Sequence, residues 1–176
     1  MSAERVILVD ERDREVGSAE KLDAHRQGLL HRAVSVLVFD GQGRTLLQKR
    51  AAGKYHSAGR WSNTCCGHPR PGEETLAAAR RRLREEMGID AALAHALTFV
   101  YRAEVGGGLI EHEVDHVFLG RFAGEPEPDP AEVEGWEWRD ARRLLADLRA
   151  DPAAYSPWLP LTLERLAAEG GIGGPP

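Results

Sequence analysis

The sequence predicts one α/β domain, equally describable as α+β, in which a mixed β-sheet core is flanked by helices. Three observations carry that prediction. Apolar runs come in pairs joined by turn residues: Ala33–Phe39 with Thr45–Arg50, and Thr98–Val105 with Leu109–Phe122. Thr75–Met87 has helical rather than alternating spacing, with Leu76, Ala79, Leu83 and Met87 on one face. Two further helical stretches, from Asp140 to about Leu148 and from Trp158 to Ala168, close the chain. Strand pairs interleaved with a central and two later helices suit one sheet with helices laid on it.

Taken in order, Arg5–Val9 reads as a strand ending in the polar turn Asp10–Asp13. The stretch from Glu20 through Gly28 reads as a link to His31. Ala33–Phe39 is apolar enough for a buried strand, and Asp40-Gly41-Gln42-Gly43 is a strong turn signal that returns Thr45–Arg50 as its hairpin partner. Ala51–Arg60 is a basic loop rich in small residues, and Gly88 stops the central helix. Gly106-Gly107-Gly108 joins a second hairpin. The prolines of Gly124–Pro130 exclude a central strand there, and Trp136 and Trp138 at period two suggest an edge strand over Val133–Arg139. Asp140 caps the next helix, with Leu144, Leu145 and Leu148 inward. Residues 1–169 are expected to form the single domain and Gly170–Pro176 a disordered tail.

Composition narrows the function classes. A chain of 176 residues, 42% hydrophobic and 29% charged, is long enough for a substantial core. It has no apolar run of membrane-spanning length and no secretory-type start, so a cytoplasmic protein is expected. The adjacent Cys65 and Cys66 cannot staple a fold and suit a reducing compartment. A formal net charge of −5 argues against nucleic acid or acidic membrane as partner, so an anionic ligand would need a local cluster of bases.

The stretch Trp61–Ile89 is where chemistry concentrates. Trp-Ser-Asn-Thr-Cys-Cys-Gly-His-Pro-Arg-Pro-Gly packs thiols, an imidazole and two prolines into a loop that runs into the central helix. Glu111 and Glu113 lie two apart in a predicted strand, so their carboxylates share one face while His112 and His116 point to the other. On composition alone, a free cysteine is more often core than nucleophile, and a Glu-x-Glu is more often a wet strand face than a ligand pair.

Gly67, Glu73, Arg81-Arg82-Leu83-Arg84-Glu85-Glu86 and Gly88-Ile89 resemble the Nudix box, Gly-x5-Glu-x7-Arg-Glu-U-x-Glu-Glu-x-Gly-U, where U is aliphatic. One position departs: Arg82 stands where a Nudix hydrolase has a metal-binding glutamate, and an arginine cannot ligate a cation. With Cys66-Gly67-His68-Pro69, Glu111-x-Glu113 and Ser156-Pro157-Trp158, the pattern is similar to the type I isopentenyl diphosphate isomerase family. That resemblance runs from Lys21 to Trp158 and implies a Nudix fold.

The resemblance also implies an activity, the interconversion of isopentenyl and dimethylallyl diphosphate through a tertiary carbocation, and it assigns residues. Cys66 and Glu113 would move the protons, with Tyr101 assisting the glutamate. His25, His31, His68, Glu111 and Glu113 would hold one divalent metal, and mixed nitrogen and oxygen ligands suit Mn2+ or Zn2+. Glu86 would hold Mg2+ through the diphosphate, with Lys21, Arg50, Lys54 and Arg82 around that anion and the Trp158 ring facing the cation. The expected partner is a small-molecule diphosphate, and the chain is expected to be a monomer or weak dimer. Cys65 is read as packing, Trp136 and Trp138 as core, and His56, His95, His112 and His116 as surface or loop residues. Two other readings stand beside it, a diphosphate hydrolase and a metal-binding module without turnover.

Overall fold

A nine-stranded mixed sheet forms around one strand that is buried on both faces. The computed structural model describes residues 4–173. In chain order the elements are β1 (Arg5–Val9), β2 (Glu15–Glu20), α1 (Lys21–Gln27), β3 (His31–Phe39), β4 (Arg44–Arg50), β5 (Trp61–Ser62), β6 (Cys65–Gly67), α2 (Thr75–Met87), β7 (Leu93–Gly106), β8 (Leu109–Arg121), β9 (Val133–Asp140), α3 (Ala141–Ala150) and α4 (Trp158–Ala168). A single 3-10 turn, Pro152–Ala154, precedes α4. No helix among them is long and apolar enough to cross a membrane.

The central strand is β3. Along one edge it pairs in parallel with β8 over its whole length, from His31↔Glu113 to Phe39↔Arg121. Three strands share its other edge: β1 at His31, β6 at Val34–Val36 and β4 at Phe39. Alternation then sorts its side chains. Val34, Val36 and Val38 pack with Ala78, Ala79, Leu83 and Met87 of α2, while Leu37 and Phe39 pack with Val117, Leu119 and the leucines of α3 and α4. Each such side chain, once fully buried, contributes about 1.5–3 kcal/mol of transfer free energy. The sheet is thus covered by α2 on one side and by α3 and α4 on the other.

Most expected elements are present, including the β7–β8 hairpin, the strand β9 paired only with β4, and the Asp140 cap, whose Oδ1 accepts from the backbone N–H of Arg142 and Arg143. Three expectations change. The stretch from Glu20 through Gly28, read as a link, holds α1, with Glu20 ending β2 and capping α1 by accepting from the N–H of Asp23. The expected hairpin of β3 with β4 is a single pair, Phe39↔Thr45, because β6 takes the middle of the β3 edge and β4 turns to pair with β9 over seven positions. Strand β7 starts at Leu93, five residues before the expected Thr98. Of the expected tail, residues 174–176 lie outside the described residues, and Gly171 donates its N–H to the Leu166 carbonyl, which lets Ile172 pack on the α3/α4 core.

Glycine is required where α2 ends. Gly88 has φ +65° and donates to the Arg84 carbonyl, and a Cβ there would lie 2.5 Å from the Glu127 carbonyl oxygen. Gly88→Ala is therefore expected to lower stability by about 1–3 kcal/mol, read as an earlier urea midpoint at unchanged slope; an unshifted midpoint would contradict this account of the helix end.

Candidate active site

The odd-numbered face of β3 and β8 is divided along its length. Towards Phe39 and Leu119 it is apolar core, and towards His31 and Glu111 it carries His31, Ser35, Glu111, Glu113 and Asp115, all buried. Burying three carboxylates on one strand face is costly unless each is compensated. For Glu111 and Glu113 the compensation comes from three other segments. His25 from α1, His31 from the start of β3 and His68 just after β6 converge on Glu111 and Glu113, and one ligand-type atom from each of the five lies within 4.8 Å of every other.

Those atoms meet with the wrong polarity for hydrogen bonds alone. His25 Nδ1 lies 2.6 Å from the Lys21 carbonyl oxygen and His31 Nδ1 lies 2.8 Å from that of Leu29. A carbonyl only accepts, so Nδ1 carries the proton in the neutral form of each ring, and Nε2 in that form presents a lone pair. His25 Nε2 stands 3.0 Å from Glu111 Oε2, yet neither atom has a hydrogen-bond partner. His31 Nε2 faces His68 Nε2 at 3.3 Å and Glu113 Oε1 at 3.5 Å. Lone pairs of buried nitrogen and oxygen aimed at one point are what a divalent cation satisfies, and backbone carbonyls on the far ring nitrogens are the usual orienting support. The residues therefore fit a metal. Burial holds His68 neutral, with its pKa down at about 3. At Glu111 burial works against ionisation, but the imidazoles of His25 and His56 beside it outweigh it and keep the carboxyl well below the usual range.

One lining residue was not expected. His56, read from sequence as a loop histidine, is buried with Nε2 2.9 Å from Glu111 Oε1 and its ring 5.6 Å from that of Trp158. It belongs to the site. Its neighbour Tyr55 sets its ring 5.0 Å from Lys21 Nζ. His112 and His116 point away from the cluster, to the Gly28 carbonyl and to Asp13, and His95 bonds Thr98, as expected.

A cavity opens beside the cluster. Cys66, Tyr101, Glu113 and Trp158 line it, together with Lys21, Arg50, Lys54, Arg82 and Glu86. Alternation along β6 separates the two cysteines: Cys65 packs in the α2 core, and Cys66 turns to the cavity. Tyr101 donates its hydroxyl to Glu113 Oε2 at 2.6 Å. Arg82 donates to Glu86 and, at 2.7 Å, to Glu85, while Gln48 Nε2 donates to the other Glu86 oxygen at 2.6 Å. Lys54 pairs with Glu132 and Lys21 with Glu4. The Arg50 guanidinium lies 5.2 Å from the Trp158 ring and its buried Nε has no partner. Four cations gathered on one cavity are a fitting receptor for a multiply charged anion. A Cβ on Gly67 would lie 2.6 Å from Arg82 Cγ, so glycine is what lets α2 bring its arginine against the cysteine loop.

Burial, with Asp115 and Glu86 nearby, pushes the Cys66 thiol up to about 12, so it is protonated at neutral pH. Alkylation of Cys66 should accelerate about tenfold per pH unit from neutrality through pH 10 without levelling; a plateau near pH 8–9 would show an ordinary thiol. For the metal, calorimetric titration should find one tight site that Glu111→Gln weakens by at least about tenfold and His95→Gln leaves alone, and at 100 times the dissociation constant the cation should add about 2.7 kcal/mol of stability. Equal affinity in the Glu111 variant would exclude the cluster as the site.

Comparison with known proteins gives the family. The NUDIX domain family model matches residues 29–159. The chain is 58% identical to isopentenyl-diphosphate Delta-isomerase 1 of Aromatoleum aromaticum over 165 residues, covering 94% of this chain and 93% of that protein. It is 55% identical to isopentenyl-diphosphate Delta-isomerase 2 of the same organism over 171 residues, covering 97% and 90%. Among solved structures, DR0079 from Deinococcus radiodurans aligns with a TM-score of 0.79 at 24% identity over 92% of this chain and 98% of that one, a likeness of fold. A Nudix-fold chain whose α2 arginine takes the place of a metal-binding glutamate, alike over nearly its whole length to these isomerases, belongs to the isopentenyl-diphosphate Delta-isomerase family.

Proposed function

We propose that this protein interconverts isopentenyl diphosphate and dimethylallyl diphosphate, with Cys66 and Glu113 as the two proton-transfer groups. The observation that carries this reading is that both side chains line one cavity that also gathers Lys21, Arg50, Lys54 and Arg82. The reaction needs a proton delivered to the terminal alkene carbon and another removed from the carbon on the far side of the branch, with a tertiary cation between. One of the two groups gives its proton and the other takes one, and exchange of protons with water resets both for the next turnover.

The surroundings suit that cation. The Trp158 face offers π-electron density worth about 0.5–2 kcal/mol to a cation and no nucleophilic lone pair. Tyr101 is held well above its ordinary pKa by burial and then by Glu113, so its hydroxyl stays a donor to that carboxylate and does not become a base. Lys21, Arg50, Lys54 and Arg82 would anchor the diphosphate and fix where the alkene lies. Glu86 would hold Mg2+ against the diphosphate oxygens, and the three-histidine, two-glutamate set would hold Mn2+ or Zn2+. When bound, the latter supplies a fixed positive charge that tunes the proton affinity of Glu113. Hydrolysis is the weaker reading, because Arg82 at the hydrolase glutamate position is a donor engaged with Glu85 and Glu86. The free thiols Cys65 and Cys66 accord with a reducing, cytoplasmic setting.

In deuterated water, the metal-loaded protein is expected to incorporate solvent deuterium into the isoprenoid. Cys66→Ala and Glu113→Gln should each lower that incorporation by at least about 10³-fold with the circular dichroism spectrum unchanged. Near-normal incorporation by either variant would rule out the pair, and release of inorganic phosphate instead would favour the hydrolase.

A further inference from the structure

Between β5 and β6 sits Asn63, a residue with no accessible surface. Its amide nitrogen donates to the Val36 carbonyl at 3.2 Å and to the Cys65 carbonyl at 2.8 Å. Both partners can only accept, so the orientation of the carboxamide is unambiguous. Those two carbonyls belong to residues already paired across β3 and β6. The amide is thereby fixed to the middle of the sheet.

Its oxygen faces three donors. The Ser62 hydroxyl lies at 3.0 Å, the Cys66 thiol at 3.1 Å and the Trp158 indole N–H at 3.1 Å. An indole N–H has no acceptor capacity, so its proton must point at this oxygen. The thiol is a weak hydrogen-bonding group, and its other hydrogen-bond partner among the described residues, the Ser35 hydroxyl, is 3.7 Å away with its proton directed at Asp115. Trp158 begins α4 with no side-chain cap from Pro157 before it. Each of these two cavity-lining side chains therefore takes its direction from the same oxygen.

We infer that Asn63 is a positioning residue whose single carboxamide oxygen sets the Cys66 thiol and the Trp158 ring relative to one another across the cavity. The inference rests on the roles proposed above for Cys66 and Trp158. An ångström of misplacement at a reacting group can cost about 10²-fold in rate, so a shared anchor is a kinetic asset beyond its share in folding.

Asn63→Leu, similar in size and without hydrogen bonds, tests it in the metal-loaded protein. The expected result is kcat lower by about 10²-fold with KM within about twofold, because the cations that would hold the diphosphate are untouched. Trp158→Phe should cost less in the Asn63→Leu background than in the parent, since both changes delete the same bond. Parental kcat in folded Asn63→Leu would overturn the inference, and so would independent, additive losses. Should Asn63→Leu fail to fold, the indole N–H resonance of Trp158, assigned by its loss in Trp158→Phe, gives a second reading. It should shift in Cys66→Ala, which removes a donor from the shared oxygen, and an unmoved resonance overturns the inference. Inactive Cys66→Ala beside a normal Asn63→Leu would sink the role of Asn63 alone, whereas full turnover by Cys66→Ala would sink the acid/base reading beneath it.

Discussion

Two glutamates buried on one strand face dictate the architecture around them. Glu111 and Glu113 are both under a tenth exposed and lie two residues apart, so their charges cannot be separated by any rotation of the strand. Only partners brought from elsewhere in the chain, arranged so that they could share a cation, make that tolerable. The answer is distributed: a helix contributes His25, the central strand His31, the cysteine loop His68 and the basic loop His56. None of these would be useful without the parallel register that sets His31 opposite Glu113.

The same register explains how a reactive cavity coexists with a solid core. β3 and β8 run together for nine positions, and their shared face turns from carboxylates and histidine at one end to Leu37, Phe39, Val117 and Leu119 at the other. The apolar half carries α3 and α4, and α4 in turn delivers Trp158 over the polar half. On the opposite face, α2 both completes the second core and points Arg82 and Glu86 at the cavity. Helix α2 therefore serves packing with one stripe and the anion-facing site with the next, a division its sequence period makes possible.

Much of this was legible in the residues, and the exceptions have physical reasons. The central helix, the β7–β8 hairpin and the two late helices have clear periods and clear stops, and they are present, with β7 starting earlier than read. The five-residue cluster that could hold a metal was accessible only through resemblance, because its members are scattered from residue 25 to residue 113 and no local pattern joins them. Strand β2, Glu-Val-Gly-Ser-Ala-Glu, has no apolar alternation because it is an exposed edge, and α1 at seven residues is too short for a period to emerge. The β3–β4 turn signal was real, but which strand pairs beyond the turn is decided by long-range competition, and β6 prevails. His56 had no visible signal: it sits in a loop of small residues, and only the fold carries it to Glu111. Asn63 likewise shows its value only when the partners of its amide can be counted.

The short helix α1 has a consequence of its own. Its first residue, Lys21, reaches the anion-facing cavity, and its fifth, His25, reaches the buried cluster, with the Lys21 carbonyl bonded to the His25 ring. One turn of helix thus spans both ends of the site, and whatever steadies the imidazole also steadies the ammonium. Occupancy at the inner position would raise affinity at the outer one and, by thermodynamic reciprocity, the outer would do the same for the inner. With both positions filled, the amino-terminal segment would act as a clasp that two guests fasten together.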